Sequence, residues 1–335
     1  MDFEDVLSEF DLSEPNIEQE LESALKKLVK QSTNIPHPAQ GQTFSRWQVL
    51  AQVSAKNLNL AKWFESHLDS ISILQELGYS DLIESDKIYG IWAAEGSPNP
   101  VHELKGLISG QKNWCSGAGI LDYALITYQN ENQQSQLVLI DMHQPNINID
   151  YSTWQAVGMA HTQTASIAFD QVKAIPVGQP NQYLTRAGFW HGAAGVAACW
   201  FGATVRIAEF LKQACTTKAN DYRLLYLGEM STQIHMTKQY FNYVATQIDQ
   251  YPTESHELVI RILRAEVEKT AQLVLTKVGQ ALGARPYCED RRFAELTADL
   301  TVFMRQSHAA FDLKRIAELT LDVESQADKE QLWTL

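Results

Sequence analysis

The stretch Gly110-Gln-Lys-Asn-Trp114-Cys-Ser116-Gly-Ala118 is the part of the sequence from which the fold is most readily inferred. Around it, short runs of β-branched and aromatic residues alternate with turn material rich in Gly, Pro and Asn. These runs cover residues 88–92, 123–128, 137–141 and 166–169. Because no helical segment separates them, the pattern predicts an antiparallel sheet and argues against a doubly wound nucleotide-binding fold. Gly117 and Gly119 join β segments and open no helix, so they do not make a dinucleotide fingerprint.

Helical periodicity flanks this region on both sides. Apolar residues three or four positions apart predict three helices between residues 16 and 77, the third with Gly78 as its C-cap. Long helices are predicted over residues 188–212, 221–249 and 253–282, the last ended by Gly283, with shorter helices from 291 to the end. The predicted fold class is α+β, with a helical part at 1–85, an antiparallel β domain at 86–178 and a four-helix bundle at 179–335.

Composition narrows the class of function. The chain of 335 residues carries a formal net charge of -13, and its sequence pI is about 5.1. Nucleic acid and anionic membranes demand basic surfaces, so neither is expected as a main partner. The most apolar stretch, residues 193–203, is shorter than the roughly 20 residues of a membrane helix. The acidic start MDFEDVLSEF lacks the features of a signal peptide, and a cytoplasmic location is expected.

Standard catalytic and metal-binding signatures are absent from the sequence. It contains no HExxH, GxSxG or Walker motif, and its four cysteines are scattered without a CxxC pair. No metal site is therefore predicted, and the cysteines indicate a reducing compartment rather than a disulfide framework.

Several motifs, in order along the chain, resemble those of the acyl-CoA dehydrogenase superfamily. Residues 110–118 resemble its G-x-K-x-W-I-T-N-G/A pattern, and residues 158–172 its G-M-R-x-T-x-S-x-x-V-x-F-D-x-V pattern. Residues 60–77 resemble its substrate-side helix, and residues 278–284 its Q-x-x-G-G turn. The resemblance spans most of the chain and agrees with the helical, β, helical layout predicted above.

The resemblance implies FAD as a cofactor. It places Trp114, Cys115 and Ser116 along the isoalloxazine ring, with the Ser116 hydroxyl in place of the usual Thr. Trp92 and Ala94 fall on the family's Y-C-x-T-E run beneath the flavin, where the Thr hydroxyl is lost at Ala94. A flavin needs a flat apolar wall and hydrogen-bond donors near its ring nitrogen and oxygen atoms. The alternative reading is that both tryptophans are core aromatics of a β domain.

A second flavin contact in this family comes from another subunit. Gln280 and Gly283 match its Q-x-x-G-G turn, whereas Ala284 replaces the second Gly. The resemblance thus implies a homodimer or homotetramer, although Gly283 also reads simply as a helix C-cap. The family's R-x-x-F-G stretch falls on residues 216–220, where its Arg and Phe are absent.

The family's catalytic carboxylate is missing from both of its usual places. The common Glu position falls on or beside Ser307-His308, and the rarer one on Trp190-His191-Gly192. His308 is the candidate catalytic replacement, since an imidazole can relay protons near neutral pH, although an isolated His after a helix is more often just exposed. The substrate anchors expected at Pro100 and Ala193 are absent as well.

Three functions remain open at this stage. The first is a flavin-dependent oxidoreductase acting on an acyl thioester, such as a CoA thioester, or on a related small molecule. The second is a flavin-dependent monooxygenase-like enzyme on the same fold, with His308 transferring protons. The third is a non-catalytic partner subunit that kept the fold and lost the site.

Overall fold

A computed structural model describes residues 6, 7 and 16–325 of the chain. Its first three helices are α1 (Ile17–Gln31), α2 (Thr43–Lys56) and α3 (Leu58–Glu76). The central strands are β1 (Tyr89–Trp92), β2 (His102–Leu104), β3 (Leu107–Cys115), β4 (Tyr123–Gln129), β5 (Ser135–Asp141), β6 (Ile147–Asp150), β7 (Ala165–Lys173) and β8 (Ile175–Val177). The remaining helices are α4 (Gln182–Thr185), α5 (Gly188–Thr217), α6 (Asp221–Gln250), α7 (Glu257–Leu282), α8 (Arg285–Glu289), α9 (Arg291–Phe303) and α10 (Ala310–Ser325).

Helix α3 ends at the predicted glycine. Gly78 has φ +83°, a conformation that costs glycine no side-chain clash. Its N–H donates to Gln75 O at 3.1 Å, and the N–H of Tyr79 donates to Leu74 O at 2.7 Å. This pair of bonds is the Schellman motif, which satisfies carbonyls left open at a helix end.

The strands form two four-stranded sheets, in the orders β1-β4-β5-β8 and β2-β3-β7-β6. All pairs are antiparallel except β1 and β4, which run parallel with Tyr89 opposite Tyr123. The prediction of an all-antiparallel sheet is therefore wrong for this one pair. Between β1 and β4 the chain forms β2 and β3, which belong to the other sheet. The chain then returns to the first sheet, where β4 lies beside β1 and runs in the same direction.

Strand β3 was not recognised from sequence, although it carries the decisive stretch. Its inward positions Ile108, Gly110 and Lys112 are buried, and the residues between them are half-buried. A glycine and a lysine on the buried face break the apolar alternation that marks a strand. The sequence pattern does not predict the edge strands β2, β6 and β8, because each is too short to show a strand periodicity.

Helices α5, α6 and α7 form the main part of the C-terminal bundle, with boundaries close to those predicted. Among the described residues, α5 is the one helix long and apolar enough to cross a membrane, and 67% of its apolar window is buried inside the protein. That burial is the pattern of a core helix. Its Gly202 admits α2 so closely that a Cβ there would lie 2.1 Å from Ala51 O. The predicted helices beyond residue 325 lie outside the described residues.

Candidate functional site

Trp114 occupies a β-bulge in β3. The register between β3 and β7 shifts between Lys112 and Cys115, so that Asn113 and Trp114 together face Ser166. Trp114 has φ +59°, which is rare for a bulky residue. The bulge turns its indole outward, and 57% of the residue is exposed. Bulges commonly re-aim a side chain in this way next to functional sites.

The segment after β1 lies beside this indole. A Cβ built on Gly96, whose φ is +118°, would lie 3.5 Å from the Trp114 ring. Trp92 Nε1 donates to the backbone oxygen of Ser116 at 3.0 Å, which ties β1 to the end of β3. Ala94 is exposed and Ser116 is half-buried. We call the surface made by Ala94, Gly96, Trp114 and Ser116 the Trp114 surface.

Two of the predicted cofactor-binding residues lie beneath this surface. Trp92 is 4% exposed and Cys115 is fully buried, with burial raising the pKa of its thiol. The Cys115 thiol donates to Lys112 O at 3.5 Å. Their place along a flavin ring stays a prediction, and in this chain both side chains are buried. They support Trp114 and Ser116 from below.

An ion pair between the buried Lys112 and the exposed Glu95 fixes the segment that carries Ala94 and Gly96. Lys112 Nζ donates to Glu95 Oε1 at 2.8 Å and to Thr127 Oγ1 at 3.1 Å. Thr127 Oγ1 lies 2.7 Å from the same Glu95 oxygen. Burial lowers the pKa of Lys112, and the partnership with Glu95 opposes that shift. The pattern around Trp114 assigns Lys112 no role, and only its inward position in the β3 alternation identifies it.

A chain of hydroxyl groups runs inward from the Trp114 surface, and its direction can be worked out. Thr162 Oγ1 donates to Met159 O at 2.7 Å, since a carbonyl oxygen only accepts. Thr162 must then accept from Thr164 Oγ1 at 2.7 Å, and Thr164 in turn must accept from Ser116 Oγ at 3.0 Å. The Ser116 hydroxyl therefore donates its proton to Thr164, toward the interior of the protein. Its oxygen is left as a hydrogen-bond acceptor, which differs from the donor expected from sequence.

The loop that carries Met159 is anchored to helix α9 by a buried carboxylate. Asp299 accepts from Met159 N and, at 2.8 Å, from Asn59 Nδ2 on α3. A Cβ on Gly158 would lie 2.1 Å from Ala298 O, so only glycine permits this approach. Burial raises the pKa of Asp299 to about 6. This aspartate thus joins the three parts of the chain.

The remaining predicted site residues lie elsewhere. Gln280 and Gly283 are exposed at the end of α7, and within residues 16–325 no hydrogen bond, ion pair or ring contact links them to the Trp114 surface. Gly283 has φ +69° and ends the helix as predicted. His308 is exposed before α10, where its backbone N–H donates to Asp312 Oδ2 at 3.1 Å. No group of three or more metal-binding side chains is found within these residues.

Comparison with known proteins gives a fold but no sequence relative. No protein-family model and no curated protein matches the chain. Butyryl-CoA dehydrogenase from Megasphaera elsdenii is 13% identical over 95% of this chain and 97% of its own, with a TM-score of 0.80. Methanesulfinate monooxygenase MsuC from Pseudomonas fluorescens is 13% identical over 96% of each chain, with a TM-score of 0.78. Dibenzothiophene monooxygenase TdsC from Paenibacillus sp. A11-2 is 14% identical over 96% and 97%, with a TM-score of 0.72. The predicted acyl-CoA dehydrogenase fold is confirmed.

Proposed function

We propose that the chain is a flavin-dependent oxidoreductase acting on a small molecule, with FAD held against the Trp114 surface. When bound, a flavin supplies the acceptance and donation of electrons that no side chain of this protein provides. The observation that carries the proposal is the indole of Trp114, which is turned out of the sheet and left 57% exposed. An aromatic face of this size gains stability when a second flat apolar group covers it.

The surroundings of the indole fit such a ring. Gly96 presents no side chain where its segment approaches the indole, and a Cβ there would lie 3.5 Å from the ring. Ser116 Oγ, two residues along the chain from Trp114, offers a lone pair to a ring N–H. A crystal structure of TdsC, which shares this fold at a TM-score of 0.74, contains FMN. This likeness supports a flavin here without deciding between FAD and FMN.

FAD is proposed over FMN because Gln280 and Gly283 match the turn implied to contact a pyrophosphate. Both are exposed and away from the Trp114 surface, as a contact made to another protomer requires. A homodimer or homotetramer is therefore part of the proposal. Release of the bound flavin by heat, followed by chromatography, distinguishes FAD from FMN directly.

The absorption spectrum and flavin affinity of the purified protein test the proposal. Trp114→Ala is expected to weaken flavin binding by at least about tenfold, since stacking and burial of one aromatic residue contribute more than 1.4 kcal/mol. Leu104→Ala is the matched control. Leu104 is 67% exposed and pairs with Leu107 at the start of β3, whereas Trp114 lies near the end of that strand. A colourless protein that does not bind added FAD or FMN would favour the non-catalytic partner subunit instead.

The choice of reaction turns on the carboxylates. Dehydrogenation of an acyl thioester needs a free base for the α-proton. Glu95 is held by Lys112 and Thr127, and Asp299 by Met159 and Asn59. Because hydrogen bonds occupy both carboxylates, neither is a free base, and this favours the second candidate, a monooxygenase-like enzyme with His308 as the proton-transfer group.

Two measurements separate the candidates. An acyl-CoA dehydrogenase bleaches its flavin anaerobically with a saturated acyl-CoA, and a missing base slows this by about 10²–10⁴-fold. A monooxygenase consumes oxygen when supplied with reduced flavin, and His308→Ala then lowers that rate. Fast anaerobic bleaching that survives both Ser307→Ala and His308→Ala would reject the monooxygenase candidate and call for tests of Glu95 and Asp299.

A further inference from the structure

The carboxylate of Asp299, on α9 of the C-terminal bundle, holds a loop of the β domain. Met159 N donates to Oδ1 and Asn59 Nδ2 donates to Oδ2, and Asp299 is only 7% exposed. Gly158 approaches the backbone of Ala298 so closely that no side chain fits between them. The loop is therefore tied to α9 at two adjacent residues, and its hydrogen bond to a carboxylate is of the stronger, charge-assisted kind.

The loop depends on such an anchor, because two of its residues have an unfavourable backbone conformation. Met159 has φ 58° and ψ 29°, and Gln163 has φ 46° and ψ 42°, both in the left-handed region. A residue other than glycine is strained in this region, and it stays there only where its surroundings hold it. The hydrogen bond from Met159 N to Asp299 is one of the contacts that hold it.

Met159 in turn fixes the inner end of the hydroxyl chain. Its carbonyl oxygen accepts from Thr162 Oγ1 at 2.7 Å and from Trp154 Nε1 at 3.2 Å. While this oxygen stays in place, Thr162 donates to it and must accept from Thr164, which in turn accepts from Ser116. The direction of the Ser116 proton therefore depends on the position of the Met159 carbonyl group.

The same loop supports the backbone that follows Ser116. Gly117 N donates to Thr162 O at 2.8 Å, and Ala118 N donates to Gln163 O at 3.1 Å. Both acceptors lie in the loop that Asp299 holds. A displaced loop would therefore release the end of the Trp114 surface as well as the hydroxyl chain.

We propose that Asp299 is a positioning residue for the candidate flavin site, which holds Met159 in place and thereby sets the Ser116 hydroxyl as a hydrogen-bond acceptor. Asp299 acts through the loop, because both of its oxygens are occupied by donors inside the protein. This role rests on the proposed function, since the hydroxyl that it sets is the one offered to the flavin. It makes the redox preference of the flavin depend on a residue of the bundle.

Hydrogen exchange of the peptide that contains Gly117 and Ala118, measured by mass spectrometry on the protein as purified, tests the anchor. Asp299→Ala removes the acceptor of a buried N–H and is expected to speed exchange in this peptide at least about tenfold. Asp299→Asn keeps an oxygen for the Met159 N–H and is expected to exchange as the wild type does. Asp81→Ala, at an exposed carboxylate, is the matched control. Wild-type exchange in Asp299→Ala would overturn the proposal.

The ratio of the affinities for reduced and oxidised FAD, obtained from the midpoint potentials of free and bound FAD, tests the link to Ser116. Asp299→Ala and Asp299→Asn both remove the charge, so their difference reports position alone. The ratio in Asp299→Ala is expected to lie about two- to tenfold below that in Asp299→Asn, the loss of one neutral hydrogen bond. In a Thr164→Val background, where the chain is already broken, the two variants should give equal ratios. Equal ratios with Thr164 intact, or a difference that persists in Thr164→Val, would overturn the proposal.

Thr162→Val tests the same chain with the carboxylate intact, in case Asp299→Ala does not fold. It removes the hydroxyl between Met159 O and Thr164 and is expected to lower the ratio by about two- to tenfold relative to the wild type. An unchanged ratio would overturn the proposal. A protein that binds neither FAD nor FMN would reject the proposed function and with it this role of Asp299, whereas slow exchange in Asp299→Ala would reject the anchor alone.

Discussion

The ammonium of Lys112, 2% exposed, lies 2.8 Å from the carboxylate of Glu95, across two elements that belong to different sheets. Glu95 follows β1 and Lys112 lies in β3, so this ion pair holds the segment with Ala94 and Gly96 beside the bulge that carries Trp114. The Glu95 side chain is 46% exposed, so solvent reaches its carboxylate and not the buried ammonium of Lys112. The pair therefore positions the Trp114 surface.

Lys112→Met is expected to lower flavin affinity by about tenfold, because Glu95 loses its charged partner and keeps only the Thr127 hydroxyl to hold the 94–96 segment. Flavin fluorescence titration measures the effect. Met fills most of the space of the lysine stem, which limits the accompanying loss of packing. The control Lys105→Met changes an exposed turn residue and should bind flavin as the wild type does.

Thr164→Val interrupts the hydroxyl chain that fixes Ser116 as an acceptor. The Ser116 proton is then free to turn outward, so the site loses its preference for the N5–H that a flavin gains on reduction. The midpoint potential of bound flavin is expected to fall by about 10–30 mV, equivalent to one neutral hydrogen bond of 0.5–1.5 kcal/mol. Spectroelectrochemistry gives the value, and the exposed Thr301→Val serves as the control. An unchanged potential would mean that the Ser116 hydroxyl does not meet the ring.

Asp299→Asn is expected to stabilise the protein above pH 6. The pKa of Asp299 rises from 3.8 to about 6 on folding, so the folded state holds the proton more tightly and stability declines as pH rises between these values. The resulting deficit, on the order of 2–3 kcal/mol, persists at higher pH. The neutral amide avoids it and can donate to Asn59 Oδ1, a buried acceptor without a partner, once the Asn59 amide rotates.

Chemical denaturation between pH 4 and pH 8 checks this prediction. The wild-type curve should fall across the window, and the curve of Asp299→Asn should be flatter and lie above it at pH 8. The exposed Asp81→Asn is the control and should follow the wild type. A variant less stable than the wild type at pH 8 would show that the charged hydrogen bonds of Asp299 outweigh its burial.

Gly283→Val is expected to weaken self-association and flavin retention together. Gly283 has φ +69° and ψ -159°, a region that is almost exclusive to glycine, so valine imposes strain of about 1–3 kcal/mol. No atom lies within 4 Å of a Cβ built there, which makes the backbone the source of the effect. Light scattering at micromolar concentration and flavin titration supply the two readouts. Gly228→Val, at an equally open position within α6, is the control.

Local sequence patterns predicted the structural features that depend only on residues close together in the chain. The end of α3 at Gly78 and of α7 at Gly283 follow from conformations that only glycine adopts freely, and helical periodicity marked the long helices. The order of motifs around Trp114 predicted the fold that the structural comparisons confirm. These features depend on residues close to one another in the chain.

The site was less predictable, because its contacts join distant residues. Nothing in the sequence indicates that Lys112 pairs with Glu95, that Asp299 accepts from Met159 140 residues away, or that β4 returns parallel to β1. The sequence did not indicate that strand alternation and the bulge would bury Trp92 and Cys115 and turn Trp114 outward.

The sequence alone thus determined the order and type of the elements and the segment that carries the candidate site, since helix periods, caps and turns are set by neighbouring residues. The tertiary structure alone decided which side chains of that segment are exposed and which way the Ser116 hydroxyl points. Exposure and proton direction each depend on what the rest of the chain places around a group, and packing alone supplies that information.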